Sequence, residues 1–174
     1  VVSASRSGAD VEVDITSATS IEDMFHAVKS VDAVICAAGP AKFGAFGELT
    51  EEDFCIGIRG KMMGQVDLVR IGQNYINDNG SFTLTTGILA DEPVVGSSAL
   101  ALVNGAVNSF AVAAALELPR GLRVNVVCPT LVEDSAEKYA GVFPGYDAVS
   151  MERVVNGYVR SVESKMTGRV IRIY

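Results

Sequence analysis

Tryptophan is absent, histidine occurs once, and aromatic residues make up only 7% of the chain. A lone His26 leaves no partner for a histidine-based metal site or a Ser/His triad. The three cysteines, Cys36, Cys55 and Cys128, show no metal or redox spacing. They fall in apolar contexts and read as buried free thiols of a reducing compartment, which points to the cytoplasm. No run of Lys or Arg occurs, and the net charge is −7. That argues against a nucleic-acid-binding face. It leaves an anionic cofactor possible, because a glycine loop and a helix N-terminus act locally whatever the total charge. No long apolar run is unbroken: Ala99 to Leu118 is interrupted by Asn104, Asn108 and Ser109. A buried helix of small residues fits that pattern better than a membrane span.

What is present is a chain of 174 residues, 49% hydrophobic and rich in glycine. This suits one soluble α/β domain spanning residues 1–174. The organising stretch is Val31 to Pro40. Ala33 to Ala37 is apolar without alternation, so both faces of this strand are expected to be covered. Ala38, Gly39 and Pro40 leave no bulk at its C-terminal end, the end where open α/β sheets bind ligands.

Short strands are expected at Val1–Ser5 and Val11–Ile15. Ser20-Ile21-Glu22-Asp23 reads as a capping-box start. Ile21, Met24, Phe25 and Val28 then form the apolar face of a helix. Thr50 caps a long helix expected to run to about Asn77 and to end at Asp78-Asn79-Gly80. Ser81–Thr86 reads as a strand, Ser97 or Ser98 to about Leu118 as a helix, and Arg123–Cys128 as a strand stopped by Pro129. Ser150 is expected to cap a helix with Val154, Val155, Tyr158 and Val159 inward, before a last strand, Arg169–Tyr174. Alternating strands and helices imply βαβ units, a parallel sheet and right-handed crossovers.

The order of these motifs resembles the short-chain dehydrogenase/reductase family. Val34-Ile35-Cys36-Ala37-Ala38-Gly39 is similar to the Asn-Asn-Ala-Gly motif of the family's fourth strand, with Cys36 and Ala37 at the asparagines. Val13-Asp14-Ile15 resembles its Asp-Val element, whose acid reaches the adenine amino group. Ser5-Arg6 resembles the end of its second strand, where a basic residue favours a 2′-phosphate. Arg123 to Pro129 closely matches its Arg-Val-Asn stretch beside the nicotinamide, with Thr130 for the usual glycine. Thr167-Gly168 resembles its Thr-Gly near the C-terminus. The resemblance implies a doubly wound Rossmann-like parallel sheet in three layers that binds NADP, with NAD as the alternative. The implied cofactor-binding residues are Ser5, Arg6, Asp14, Ile15, Ala37, Ala38, Gly39, Pro129, Thr130 and Val132. It also implies a homodimer or homotetramer through the two long helices. Gly57, Gly60 and Gly64 on one helix and Ala101, Gly105 and Ser109 on the other allow close helix approach, either across such an interface or within one subunit.

Two departures stand out. The sequence starts near the family's second strand. The first strand, Gly-rich turn and helix, roughly 25–30 residues, are therefore expected to be missing, and the chain to be a fragment. The alternative is a short protein with rearranged pairing. The catalytic set also differs. Alignment puts Leu100 at the family's Tyr, Asn104 at its Lys, Thr86 or Gly87 at its Ser and Lys61 at its Asn, so Lys and Asn are exchanged. Leucine cannot donate a proton. Thr86, Lys61 and Asn104 are the candidate catalytic residues: Lys61 either holds the nicotinamide ribose or is a solvated helix lysine, and the proton donor is Thr86, Lys61, water or the substrate itself. Tyr75 and Tyr139 find no place in this scheme, and Glu133-Asp134-Ser135 falls where the family has a substrate lid. Three functions remain open: an NADP(H)-linked oxidoreductase acting on a small carbonyl or alcohol, a nucleotide-binding regulator or scaffold without chemistry, and an inert truncation product.

Overall fold

The computed structural model describes residues 1–174. Its strands are β1 (Ala4–Ser5), β2 (Val11–Glu12), β3 (Val31–Ile35), β4 (Ile76–Thr85), β5 (Arg123–Pro129) and β6 (Val170–Ile173). The helices are α1 (Ala18–Val28), α2 (Glu51–Gly57), α3 (Gly64–Gly72), α4 (Ser98–Ala114), α5 (Glu133–Tyr139) and α6 (Met151–Glu163). All pairings are parallel: β1 with β2, and β3-β4-β5-β6 as a four-stranded sheet. Helices cover both faces, giving the expected Rossmann-like three-layer architecture.

The first layer packs Ile21 and Phe25 of α1, Leu68 and Val69 of α3 and Val107 of α4 onto Phe82, Leu84, Val124 and Val126 of the sheet. On the opposite face, Val154 of α6 packs on Val127, Ile171 and Ile173. That face also buries polar groups, and they are paired. Asn125 Nδ2 donates to the Met166 carbonyl (2.9 Å), and its Oδ1 accepts from Arg169 N–H (3.1 Å). Arg123 donates from both guanidinium nitrogens to the Ser161 and Val162 carbonyls near the end of α6. The Arg-Val-Asn stretch therefore sews β5 to α6 and to the turn before β6.

Several local expectations are corrected. α1 starts earlier than read: its cap is Ser17, whose Oγ accepts from Ser20 N–H, while Ser20 Oγ accepts from Asp14 N–H. β1 and β2 are two residues each, shorter than expected. β3 is not covered on both sides. Ile35 is 51% exposed, because it lies on the α6 face of the sheet and α6 packs mainly on β4, β5 and β6. The helix capped by Thr50 ends at Gly72 rather than Asn77. β4 begins at Ile76, and the turn at Asp78-Asn79-Gly80 is an excursion inside it: Val31 pairs with Ile76 but Ala33 with Ser81. α4 stops at Ala114. On α6, Val155 and Val159 face outward, and Gly157 and Ser161 take the buried positions. Cys36 and Cys128 are buried as expected, but Cys55 is only half-buried.

The Thr50 start is a reciprocal capping box: Asp53 N–H donates to Thr50 Oγ1 and Thr50 N–H to Asp53 Oδ2. Glu51, Glu52 and Asp53 in its first turn match the helix dipole. Between α2 and α3 the chain winds as a π-helix over Ile58–Met63. Such wide turns are rare and recur at functional sites. This one carries Lys61.

The small-residue helix contacts also differ from the expectation. A Cβ on Gly57 would lie 3.0 Å from Val103 of α4, so that approach is real. Gly60 instead lies against Pro40, Gly64 lies against Ile15, and Gly105 has open space around it.

Candidate active-site cleft

The residues that follow the parallel strands share one end of the molecule. Beyond β1 and β2, Arg6 Nη2 donates to Asp14 Oδ1 at 3.1 Å, in an exposed pair. Asp14 Oδ1 also accepts from Thr16 N–H and Thr16 Oγ1, and these bonds hold its carboxyl below the usual range. Ser5 Oγ donates to the Ser7 carbonyl. Ile15 fills the space left by Gly64. Beyond β3, Ala37 and Ala38 are exposed.

Gly39 has φ = +127°, and a Cβ built there would lie 2.6 Å from Lys61 Cα. Only glycine suits both that torsion and that contact. Gly39→Ala is expected to push the β3 loop off the π-helix and to destabilise the fold by roughly 2 kcal/mol or more. Urea denaturation measures this, and an unchanged midpoint would show that the contact is slack.

Beyond β4 and β5 lies a cavity of about 500 Å³ in which ten of seventeen lining residues are hydrophobic. Lys61, Thr86, Leu100 and Asn104 all line it, so Lys61 and Asn104 share one pocket. Pro129, Thr130 and Val132 form another part of its wall. Thr86 is buried, and its hydroxyl donates to Asn108 Oδ1 at 2.9 Å. Its proton is therefore committed, and it suits an orienting role better than proton donation.

Asn104 is 3% exposed, and its Oδ1 has no hydrogen-bond partner. A buried amide oxygen left unpaired costs about 1–3 kcal/mol, so it marks a place where a ligand donor fits. Lys61 makes no ion pair; burial lowers its pKa, and the nearest charge effects on it come from the thiols Cys36 and Cys128. Cys36 itself is pushed up by burial, so it supplies no standing negative charge.

Sequence reasoning missed several wall residues. Tyr139, unplaced from the sequence, lines the cavity from the end of α5, and Phe143 lines it from the turn that follows, while Ser135 of the expected lid segment lines it from the first turn of α5. The Glu133-Asp134-Ser135 segment is the first turn of that helix. Phe43 closes the pocket from the β3–α2 connection. Only their sequence position beyond strand ends hinted at this. Tyr75 is remote: it stacks on Phe25 and meets His26 Nε2 at 3.0 Å. The segment after β4 is tied down by Asp91, which takes Arg172 Nε (2.8 Å) and the Tyr174 hydroxyl (2.6 Å).

The family model described as enoyl-(acyl carrier protein) reductase matches residues 2–167. The chain belongs to the short-chain dehydrogenase/reductase family. No curated protein matches it. The crystal structure of the protein lin1944 from Listeria innocua is 42% identical, with TM-score 0.98, covering 100% of this chain and 87% of that one. A small-chain dehydrogenase structure is 25% identical with TM-score 0.80, over 92% of this chain and 77% of that one. Another, in complex with NADPH, shares the fold at 23% identity and TM-score 0.82, covering 92% and 80%. Within this short-chain dehydrogenase/reductase fold, the cleft beyond the strand ends carries Leu100 and Asn104 on its wall. No helix is long and apolar enough to cross a membrane.

Proposed function

We propose that this protein is an NADP(H)-linked oxidoreductase that reduces small apolar carbonyl compounds with a non-standard proton donor. The reading is carried by one observation: the unpaired, buried Asn104 Oδ1 shares an apolar cavity with Lys61 at the C-terminal ends of β4 and β5.

The residues present fit the two ends of a dinucleotide. Arg6, paired only at the surface, suits a 2′-phosphate, and Asp14 suits the adenine amino group. Ser5 and Ile15 flank that end. Ala37, Ala38 and Gly39 leave the backbone beyond β3 open. Asn104 Oδ1 lacks a donor and would hold a nicotinamide ribose hydroxyl. When bound, the nicotinamide would supply hydride chemistry. The Lys61 ammonium would give a proton to the carbonyl oxygen, Thr86 would orient the substrate, and the apolar wall would exclude water. Pro129, Thr130 and Val132 sit on the nicotinamide side of the pocket.

The test is loss of nicotinamide absorbance when the protein is mixed with NADPH and a panel of small aldehydes and ketones. Turnover that falls in Asn104→Leu, chiefly through a raised KM for NADPH, supports the reading. No turnover with any carbonyl, alongside intact NADPH binding, favours the second reading, a nucleotide-binding scaffold. Leu100 on the cavity wall is the observation behind that alternative.

Arg6→Ala is expected to cut NADPH affinity about tenfold, roughly 1.4 kcal/mol, with NADH affinity unchanged. Equal losses for both nucleotides would remove the 2′-phosphate assignment.

A homodimer is supported by exposed Ile56 and Met63 on the α2–α3 helix and by Leu102 and Val112 on α4. Such an apolar surface suits self-association.

A further inference from the structure

We infer that Lys61 is a carbonyl-condensing lysine, whose uncharged amine forms a reversible imine with an apolar aldehyde held in the cavity. The inference goes beyond hydride transfer and needs no nucleotide.

It rests on placement. Lys61 is the only one of five lysines, with Lys29, Lys42, Lys138 and Lys165, that lines the 500 Å³ cavity. Its amine has neither a carboxylate nor a hydrogen-bond acceptor, and most of the surrounding wall is hydrophobic. An ammonium there gives up part of its hydration with no anion facing it, so the uncharged amine is more accessible than on an exposed lysine. Desolvated lysines in apolar pockets are the ones that act as amine nucleophiles. Two features fix its position. The π-helix turns Lys61 toward the loop after β3, and Gly39 packs directly on its Cα. The cavity walls Phe43, Leu100 and Phe143 suit an aromatic or branched aliphatic body.

The step balances without an oxidant or reductant. The amine lone pair forms a bond to the carbonyl carbon, and the C=O π pair moves to oxygen. A proton passes from nitrogen to that oxygen, giving a carbinolamine. The nitrogen lone pair then forms C=N as the hydroxyl leaves with a proton, as water. Hydrolysis reverses the sequence. The unpaired Asn104 Oδ1 is an acceptor available to the carbinolamine hydroxyl in the same cavity.

The experiment uses benzaldehyde and sodium cyanoborohydride at neutral pH without nucleotide, followed by peptide mapping. Borohydride reduces the imine to a stable secondary amine, which adds one benzyl group to the lysine. Lys61 is expected to be benzylated at least tenfold faster than the other four lysines, with the Val1 amine counted separately. Excess benzyl alcohol, which cannot condense, should slow Lys61 alone. Lys61→Arg, which keeps the cation and removes the nucleophile, should abolish that product with an unchanged denaturation midpoint. Labelling spread evenly over the five lysines, or Lys61 the slowest, overturns the inference. An NADPH titration of the same preparation is independent, so failure of imine formation and failure of the oxidoreductase reading are separately visible.

Discussion

Replacing Lys61 with methionine is expected to make the protein more stable and much less active. Met keeps the apolar length of the side chain and removes a poorly solvated charge. Exchanging a buried charge for a hydrophobe of similar volume is often stabilising by roughly 1–4 kcal/mol, and about 1 kcal/mol is expected here. Loss of the proton donor should lower carbonyl reduction by roughly 10²–10⁴-fold.

The pH dependence separates this account from a general packing effect. Burial lowers the Lys61 pKa in the folded state below its ordinary value. Below that folded pKa both states are protonated and the full desolvation cost is carried. As pH rises through it, the folded protein gives up the proton while the unfolded chain keeps it. Stability therefore climbs until the unfolded lysine titrates near ~10.4. Lys61→Met should remove that rise. Activity should move the other way, falling as the acid form is lost above the folded pKa. Parallel pH profiles of denaturation midpoint and turnover check both signs. A variant less stable than wild type would mean that the ammonium is well solvated.

Gln65→Leu is the second large effect, and it acts on the fold. Gln65 is fully buried on α3 and clamps the end of β4. Its Nε2 donates to the Thr85 carbonyl at 3.0 Å, and its Oε1 accepts from Thr85 N–H at 2.8 Å. Leucine fits the volume but strands both backbone groups. Each buried orphan costs about 1–3 kcal/mol, so a loss of roughly 3 kcal/mol is expected. For a chain of this size that corresponds to a fall of roughly 6–12 °C in melting temperature. Because Thr86 follows the clamp directly, turnover should drop even where the variant remains folded. A melting temperature within a degree of wild type would mean that water replaces the amide.

The sequence made the architecture legible because its signals were local. Ile21, Met24 and Phe25 announced α1 by spacing, and all three are buried. The motif order placed the family. Boundaries were less legible where tertiary contacts decide them. Asp78-Asn79-Gly80 reads as a helix end, yet the register jump between β3 and β4 absorbs that turn within a strand. Val155 and Val159 looked like core because the face of α6 that meets the sheet is set by Gly157 against Ile173 and by buried Ser161. Within the site, Lys61 and Asn104 were singled out by alignment of motifs, and the fold places both on the wall of one cavity. The aromatic part of the pocket wall was not readable. Phe43 and Phe143 come from connections whose paths no periodicity encodes, and Tyr139 closes the short helix α5. Gln65 carried one overlooked sign: a glutamine sits on the helix face that also presents Leu68, Val69 and Gly72, where only a paired amide is tolerated.

We propose that a dinucleotide completes the site at Asn104. The most direct test is an NADPH titration followed by NMR of the Asn104 and Asn108 side-chain amides. The account predicts saturable shifts of Asn104 that follow NADPH occupancy, weaker or absent with NADH, and lost in Arg6→Ala at the same concentration. Saturable NADPH binding that leaves Asn104 unmoved, or no binding by the folded chain at any accessible concentration, would contradict it.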